Sequence, residues 1–398
     1  MASSVAAPGD VFAQVLQPDN RPNPSPLYAR LREQPVMLQS DGTYVVSTYR
    51  EINLLLHDPR ISSDLRKSSN PPHVGAEEPP LIFQDAPTHD YLRHAVMQQF
   101  TPQRISGLRG TIEAVEHELL EAQRSNHQMD LVEAFAYPLP VTVICRLLGV
   151  PRADEPQFSS WSAALVRTLD PAESLSDAER QQAAQARTAI WAYMRHLIAE
   201  RRQSPQDDLI SGLVGDGLLS ETDLPATLQL LLIAGHETTV NLITNAMLTL
   251  LRHPAVLDRL RRDPEFAIPV VEEVLRFDPP VQFRLRTTLA DLSIAGTVIP
   301  KGASVMLVLA SGSRDPARFA DQDRFDPDRR DNEHFGFGSG DHYCVGAPLA
   351  RMEAVTALSL LARRLQAPRL VSDPPPYRKN AALRGPEHLL IAYDGLAG

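Results

Sequence analysis

The rhythm of apolar and polar positions changes several times along the chain. Thr43–Thr48 alternates in the manner of a half-buried strand, and a helical period follows over Tyr49–His57, ending near Asp58-Pro59. Residues 62–80 carry clusters of Ser, Asn, Pro and Gly with no period, which predicts a long loop of the kind that often acts as a lid. From Pro87 the pattern is mostly helical, through Gly107–Ala122, Leu131–Leu148, Gln157–Thr168 and Asp177–Gln203. The longest run is Ser220–Arg252, for which a Ser220-x-x-Asp223 capping box is one candidate start and a later cap the other, because Pro225 one turn in would delete a ladder bond. Strand rhythm returns at Phe283–Thr288, Asp291–Ile299 and Ser304–Leu309, before a last helix over Val345–Leu365. Ahead of a helical turn at Leu27–Arg32 the chain is rich in proline and reads as irregular. With no repeat and no linker, the expectation is a mainly α fold with a minor β region: an irregular segment over residues 1–25 and a single domain over 26–398.

Composition narrows the function. Of the 398 residues 43% are hydrophobic, enough for a substantial core, and 39 basic against 49 acidic side chains leave a net charge of −10, which argues against a nucleic-acid binder. No apolar run approaches the roughly 20 residues of a membrane span, and Met1–Asp10 lacks the pattern of a signal peptide, so a cytoplasmic protein is expected. Two cysteines exclude a disulfide framework. Cys145 lies in an apolar helical run and reads as a buried structural thiol. Cys344 is different, because four glycines crowd Phe335–Gly346 and a helix follows directly. Glycines allow close approach of backbone to a flat ligand, and the helix start favours a thiolate.

That stretch resembles the haem-ligand loop of the cytochrome P450 family, F-x-x-G-x-[R/H]-x-C-x-G. Phe337, Gly340, His342, Cys344 and Gly346 fill its fixed places, with Gly338 inside it. The resemblance implies haem b (iron protoporphyrin IX) bound through the Cys344 sulfur, an arrangement that favours O–O cleavage. It also implies that Phe337 packs on the haem and that His342 meets a propionate.

Three further segments match the family in order. Leu230–Thr239 places an acid and an alcohol inside an apolar helix; on its own a satisfied core hydrogen bond explains that. The run is similar to the family's A-G-x-[D/E]-T segment, where the helix loosens over the haem. Glu237 and Thr238 are then the pair that relays protons to dioxygen, Thr239 assists, and Ala234 and Gly235 leave room for ligand. Glu273 and Arg276 form an E-x-x-R whose spacing puts both on one helical face, and the resemblance gives them a structural role, locked to a later meander that includes Phe325–Arg329. Asp85–Arg93 resembles D-x-P-x-H-x-x-x-R, so His89 and Arg93, with Arg286 from Phe283–Thr288, are implied as propionate partners; a solvated basic face is the competing reading of each. The likeness runs from about Pro26 to Ile391, with one departure at Gly312-Ser-Arg-Asp315, where the family usually has Asn before the Arg-Asp.

The chain shows no flavin or iron–sulfur segment, so the resemblance implies electrons from a separate ferredoxin and ferredoxin reductase, or a flavodoxin, docking where Arg93, Arg104 and Arg351 lie. The pocket is implied along the Ser68–Phe83 loop, Leu231 and Ala234, Val281 to Phe283, and the Arg384–Leu389 turn, which suits a small hydrophobic substrate. His73, Arg284, Arg384 and His388 are candidate polar handles there, surface positions being the alternative. The expectation is a soluble bacterial-type monooxygenase using O2. The rivals are a peroxygenase driven by H2O2, which commonly lacks the acid–alcohol pair, and a haem sensor without catalysis.

Overall fold

The computed structural model describes residues 11–71, 79–171 and 174–398. The N-terminal stretch expected to be irregular is anchored from Val11 on: α1 (Val11–Val15) buries Val11, Phe12 and Val15, and α2 (Ser25–Arg32) buries Tyr28 and Leu31. Pro18 opens a short 3-10 turn and Pro26 stands in the first turn of α2, where a proline deletes no ladder bond. Strands β1 (Val36–Leu38) and β2 (Tyr44–Val46) pair antiparallel, and α3 (Tyr49–Leu56) leads to β3 (Ile61–Ser62). Within the long loop, residues 72–78, His73 among them, lie outside the described residues.

The helical middle begins with α4 (Thr88–Gln99), α5 (Pro102–Gly107) and α6 (Arg109–Glu121), followed by β4 (Gln128–Asp130). The single helix expected over Leu131–Leu148 divides into a wide π turn at Val132–Ala136 and α7 (Pro138–Leu148), because Pro138 and Pro140 fit only a first turn. Next come α8 (Glu155–Arg167), α9 (Asp177–Gln203), α10 (Leu209–Asp216) and α11 (Asp223–Arg252). The Asp223 amide donates to Ser220 Oγ at 3.0 Å, but the residue that caps the helix is Thr222, so the start lies later than Ser220, and Pro225 falls harmlessly inside the first turn. A helix this apolar on all sides belongs at the centre. It packs against α7, α9, α12 (Pro254–Arg262), α13 (Ala267–Phe277) and α15 (Ala347–Arg364), and its Leu232, Ile243 and Leu250 sit in the main core with Ile144, Met194, Val274 and Leu361.

The larger sheet joins distant segments in the order β1-β2-β8-β5-β3, with β5 at Arg284–Thr288 and β8 at Ser304–Leu307. Between these two, Asp291–Ile299 folds as a hairpin of β6 (Leu292–Ile294) and β7 (Thr297–Ile299), turning at Ala295 and Gly296 with φ of 47° and 77°. A short α14 (Leu309–Gly312) follows β8. After α15, β9 (Leu365–Gln366), β10 (Arg369–Leu370), β11 (Leu390–Ala392) and β12 (Gly395–Leu396) form small sheets, β11 pairing also with β4. The fold is mainly α with a minor β region, as the sequence predicts. Among the described residues no helix is long and apolar enough to cross a membrane.

Glu273 and Arg276 on α13 are both fully buried and joined by two bonds, Nε to Oε2 at 2.8 Å and Nη2 to Oε1 at 2.7 Å. The remaining N–H groups of Arg276 donate to the carbonyls of Ser313, Gln322 and Arg324 at 3.2, 2.9 and 3.0 Å, while Glu273 accepts from the Asp326 amide at 2.9 Å. All five guanidinium N–H groups thus have acceptors, which is what makes a charge tolerable at that depth. The Gly312–Asp315 departure is absorbed without loss, because Ser313 supplies its carbonyl to Arg276 and its Oγ accepts from the Phe335 amide at 3.1 Å. Arg276→Ala should cost about 3–5 kcal/mol in chemical unfolding, and Arg276→Lys should recover little of it, since an ammonium cannot reproduce the fork. Recovery of wild-type stability by the lysine variant would refute this reading.

Candidate active site

The loop from Phe335 to Gly346 lies directly on α13. A Cβ on Gly336 would stand 2.7 Å from the Leu275 carbonyl oxygen, and one on Gly340, whose φ is +68°, only 2.5 Å from that of Leu56. Glycine is therefore required at both places. The turn closes with Gly338 N–H on the Phe335 carbonyl at 2.9 Å and Cys344 N–H on that of Phe337 at 3.0 Å. The sulfur of Cys344 is thereby held just ahead of α15. Burial pushes the Cys344 thiol up, opposed by the Gly346 amide and by Arg93, Arg284 and Arg351. Coordination to a metal is what would make it a thiolate. Cys145 is fully buried on α7 and is pushed up by burial as well, with Glu155 and Asp154 adding to it, as befits a structural thiol.

Phe337 is fixed from the other side by Arg351, whose guanidinium lies 4.4 Å over its ring and grips Glu272 at 2.6 and 2.9 Å. Arg351, one of the basic residues expected at the docking surface, is thus paired with Glu272 while its side chain stays 35% exposed. Arg104 is likewise bonded to Gln99 Oε1 at 2.7 Å, and Arg93 acts electrostatically on His342 and Cys344.

Positive groups converge beside the cysteine. The rings of His89 and His342 are 4.2 Å apart, and His342 Nε2 meets Ser63 Oγ at 2.9 Å. Burial, followed by the charge of Arg286 and by His89, lowers the His342 pKa to about 3. Arg286 itself is lowered to about 10 by burial and by Arg284, with Asp85 acting the other way. His89 is 1% exposed and its Nε2 has no hydrogen-bond partner. A buried nitrogen and guanidiniums without carboxylate partners among the described residues fit a group that carries two carboxylates, and the accessible sulfur fits its iron. The residues present therefore suit haem.

On α11 the accessible strip is Leu230, Ala234 and Thr238, each four residues on from the last. Leu231, expected in the pocket, is 5% exposed and belongs to the core; one helical position turns it away by about 100°. The missed residue is Leu230, which stepping back by fours from Thr238 would have found. Gly235 lets α11 approach α7, since its Cβ would lie 2.7 Å from Ile144 Cδ1. The helix runs unbroken through this region, so the expected loosening is not seen, and Thr238 Oγ1 donates to the Ala234 carbonyl at 2.9 Å. Thr239 is buried.

Glu237 lies on another face, 3% exposed, and accepts from Arg378 Nη1 at 2.7 Å with His236 Nε2 3.5 Å away. Burial alone would raise its pKa, but His236 and Arg378 more than reverse this and hold it below the ordinary value. The acid and the alcohol are thus neighbours in sequence but not in contact.

The remaining pocket expectations separate. Val281 is half-buried and bridges to Leu383, whereas Phe283 is 1% exposed and packs edge-on against Phe12 at 5.4 Å in the core. Arg384 is a structural ligand of Asp278, the Pro22 carbonyl and Tyr377 Oη. His388 pairs with Asp130 at 2.6 Å on the surface. Of the polar handles among the described residues, Arg284 is the one with no hydrogen bond or ion pair to the protein.

An inward cysteine on a glycine-shaped loop, ringed by unpaired cations, defines a haem-thiolate protein. The chain belongs to the cytochrome P450 family, whose model, Cytochrome P450, matches residues 35–392. It is 38% identical to cytochrome P450 107B1 of Saccharopolyspora erythraea over 92% of this chain and 93% of that protein. It is 35% identical to 6-deoxyerythronolide B hydroxylase of the same organism, over 92% and 95% respectively. Among solved structures, ligand-free CYP164A2 of Mycobacterium smegmatis superposes with a TM-score of 0.92 at 42% identity, covering 97% of this chain and 100% of that one. The protein is therefore a bacterial-type haem monooxygenase.

Replacing Arg378 by Met should leave burial of Glu237 opposed only by His236 and raise its pKa. Wild-type Glu237, with its pKa depressed on folding, contributes stability above the unfolded value of about 4.3 and loses it as pH falls through the folded one. The variant should be destabilised by about 1–3 kcal/mol at neutral pH, the deficit closing below pH of about 4. A deficit independent of pH in chemical denaturation would contradict this.

Proposed function

We propose that the enzyme inserts one atom of O2 into a small hydrophobic molecule, drawing electrons from a separate ferredoxin and its reductase or from a flavodoxin. The observation that carries this reading is the Cys344 loop set beside the His89, Arg93 and Arg286 cluster. Cys344 would hold the haem iron through its sulfur, with Phe337, Gly338 and Gly346 shaping its loop, while His89, Arg93, Arg286 and His342 would receive the carboxylates of the haem. Bound there, haem supplies the oxidising chemistry. Glu273 and Arg276 hold the loop in place through the meander. Residues 26–398 work as one unit, which the core cluster running from Leu81 to Tyr393 supports.

Thr238 presents its hydroxyl on the accessible strip with Ala234, where substrate and O2 meet. Glu237 is an ionised carboxylate at neutral pH, so it accepts a proton before it gives one. Its reach toward Thr238 requires the Arg378 contact to open, which ties proton supply to movement of the segment carrying Arg378. The presence of this pair favours O2 with reductive activation over the peroxide route.

Reduced, CO-treated holoprotein should show the red-shifted Soret band of sulfur ligation, and Cys344→Ser should lose it. Its absence from freshly reconstituted wild type would defeat the proposal. Thr238→Ala should divert NADH consumption from product to peroxide by about tenfold or more, in the range for a positioned proton-transfer group. Unchanged coupling would remove Thr238 from the relay.

A further inference from the structure

A carboxylate that must take up a proton before it passes one on needs a donor, and Glu237 touches one, the imidazole of His236. That ring has no exposure at all. It stands two residues on from Ala234, a turn of about 200° around α11, and so points away from the accessible strip of Leu230, Ala234 and Thr238. Tyr137 covers it edge-on, with 6.0 Å between ring centroids.

The two ring nitrogens are not equivalent. Nδ1 lies 2.7 Å from the Leu232 carbonyl oxygen, one turn back on the same helix. A carbonyl oxygen only accepts, so Nδ1 carries a hydrogen. Nε2 lies 3.5 Å from Glu237 Oε1 and has no hydrogen-bond partner. In a neutral ring with Nδ1 protonated, Nε2 is an acceptor. Two buried acceptors would then face each other, an arrangement that costs free energy. A proton on Nε2 turns the encounter into a charge-assisted contact.

Few other titratable groups face the pair. Arg378 holds the second carboxylate oxygen, Oε2, at 2.7 Å, Tyr137 stands over the ring, and Cys145 of α7 acts on Tyr137. Arg378 is partly exposed and has water to swing into, whereas His236 is tied to its own helix and stays.

We propose that His236 is the proton donor to Glu237, holding a proton on Nε2 against Oε1 and releasing it when Arg378 leaves Oε2. This rests on the relay role given to Glu237 above. Departure of Arg378 leaves a buried carboxylate with less positive charge around it, which raises its affinity for a proton. The proton then moves from Nε2 to Oε1, one N–H bond breaking as one O–H bond forms, and the neutral carboxyl is free to turn toward Thr238. The imidazole left behind is neutral and regains its proton from solvent.

The test uses holoenzyme isotope-labelled at the histidine nitrogens, in the diamagnetic ferrous–CO form. At neutral pH the magnetic resonance spectrum of wild type should contain an imidazolium that is missing from His236→Gln and becomes a neutral ring in Glu237→Gln, where the charge that retains the proton is gone. With a surrogate ferredoxin and reductase, wild-type oxygen uptake should fall as pH rises and Nε2 empties. His236→Gln, which still donates a hydrogen bond but no proton, should keep its CO band, run about tenfold slower or more, and lose that pH dependence. A bare Nε2 in wild type would overturn the proposal, and so would a His236→Gln enzyme with the wild-type rate and pH profile. If His236→Gln loses its haem, the imidazolium signal in wild type and its fate in Glu237→Gln still decide the matter. Unchanged coupling in Thr238→Ala would instead fault the relay itself, with the His236 signal unaffected.

Discussion

The rest of the structure depends on one arginine with no exposure at all. Arg276 joins three separate stretches: α13 through Glu273, the turn at Ser313, and the coil from Gln322 to Asp326. From that junction the order passes on. Ser313 Oγ takes the Phe335 amide, and Gly336 rests on the Leu275 carbonyl one residue before Arg276. The cysteine loop thus starts from a surface that the ion pair has already set. A hydrophobic contact in place of the pair would be as stable or more so, but it would not dictate direction. The planar fork fixes where each carbonyl must lie, and hence where the sulfur comes to rest.

What was legible in the sequence was whatever the chemistry requires to be contiguous. The loop around Cys344 needs glycines at fixed offsets, and the Glu273–Arg276 fork needs a spacing of three on a helix, so both could be read directly. Phase was harder. Naming Leu231 for Leu230 is an error of one residue, but on a helix it exchanges an accessible face for a buried one. The alternation that places Arg286 among the propionate partners also puts Arg284 beside it and sends Phe283 into the core, yet it was not carried back along the strand. Arg384 and His388 were beyond local reading, since their partners Asp278 and Asp130 are 106 and 258 residues away. Nor does any sequence pattern announce that Arg351 lies over Phe337, or that Arg378 holds Glu237.

The electrostatics of the interior follow the same division of faces. Carboxylates buried in α11 and α13 are already paired with arginines, whereas among the described residues the guanidiniums of Arg93 and Arg284 have no carboxylate partner and that of Arg286 bonds its neighbour's carbonyl, Leu285 O, at 2.9 Å. Satisfied pairs build the scaffold, and unsatisfied cations mark where something anionic is received. His342, held neutral among them, adds hydrogen-bonding capacity without adding repulsion.

The contact of Gly235 with Ile144 has an evolutionary corollary. α11 is set close to α7 on one side by a position where a side chain would press on Ile144, while the strip of Leu230, Ala234 and Thr238 is free of that contact. Residues that hold the helix and residues that shape what it encloses are therefore separate sets. Relatives can diverge in the cargo they accept by changing bulk along the strip, with the frame untouched, and a designer seeking new selectivity inherits the same latitude.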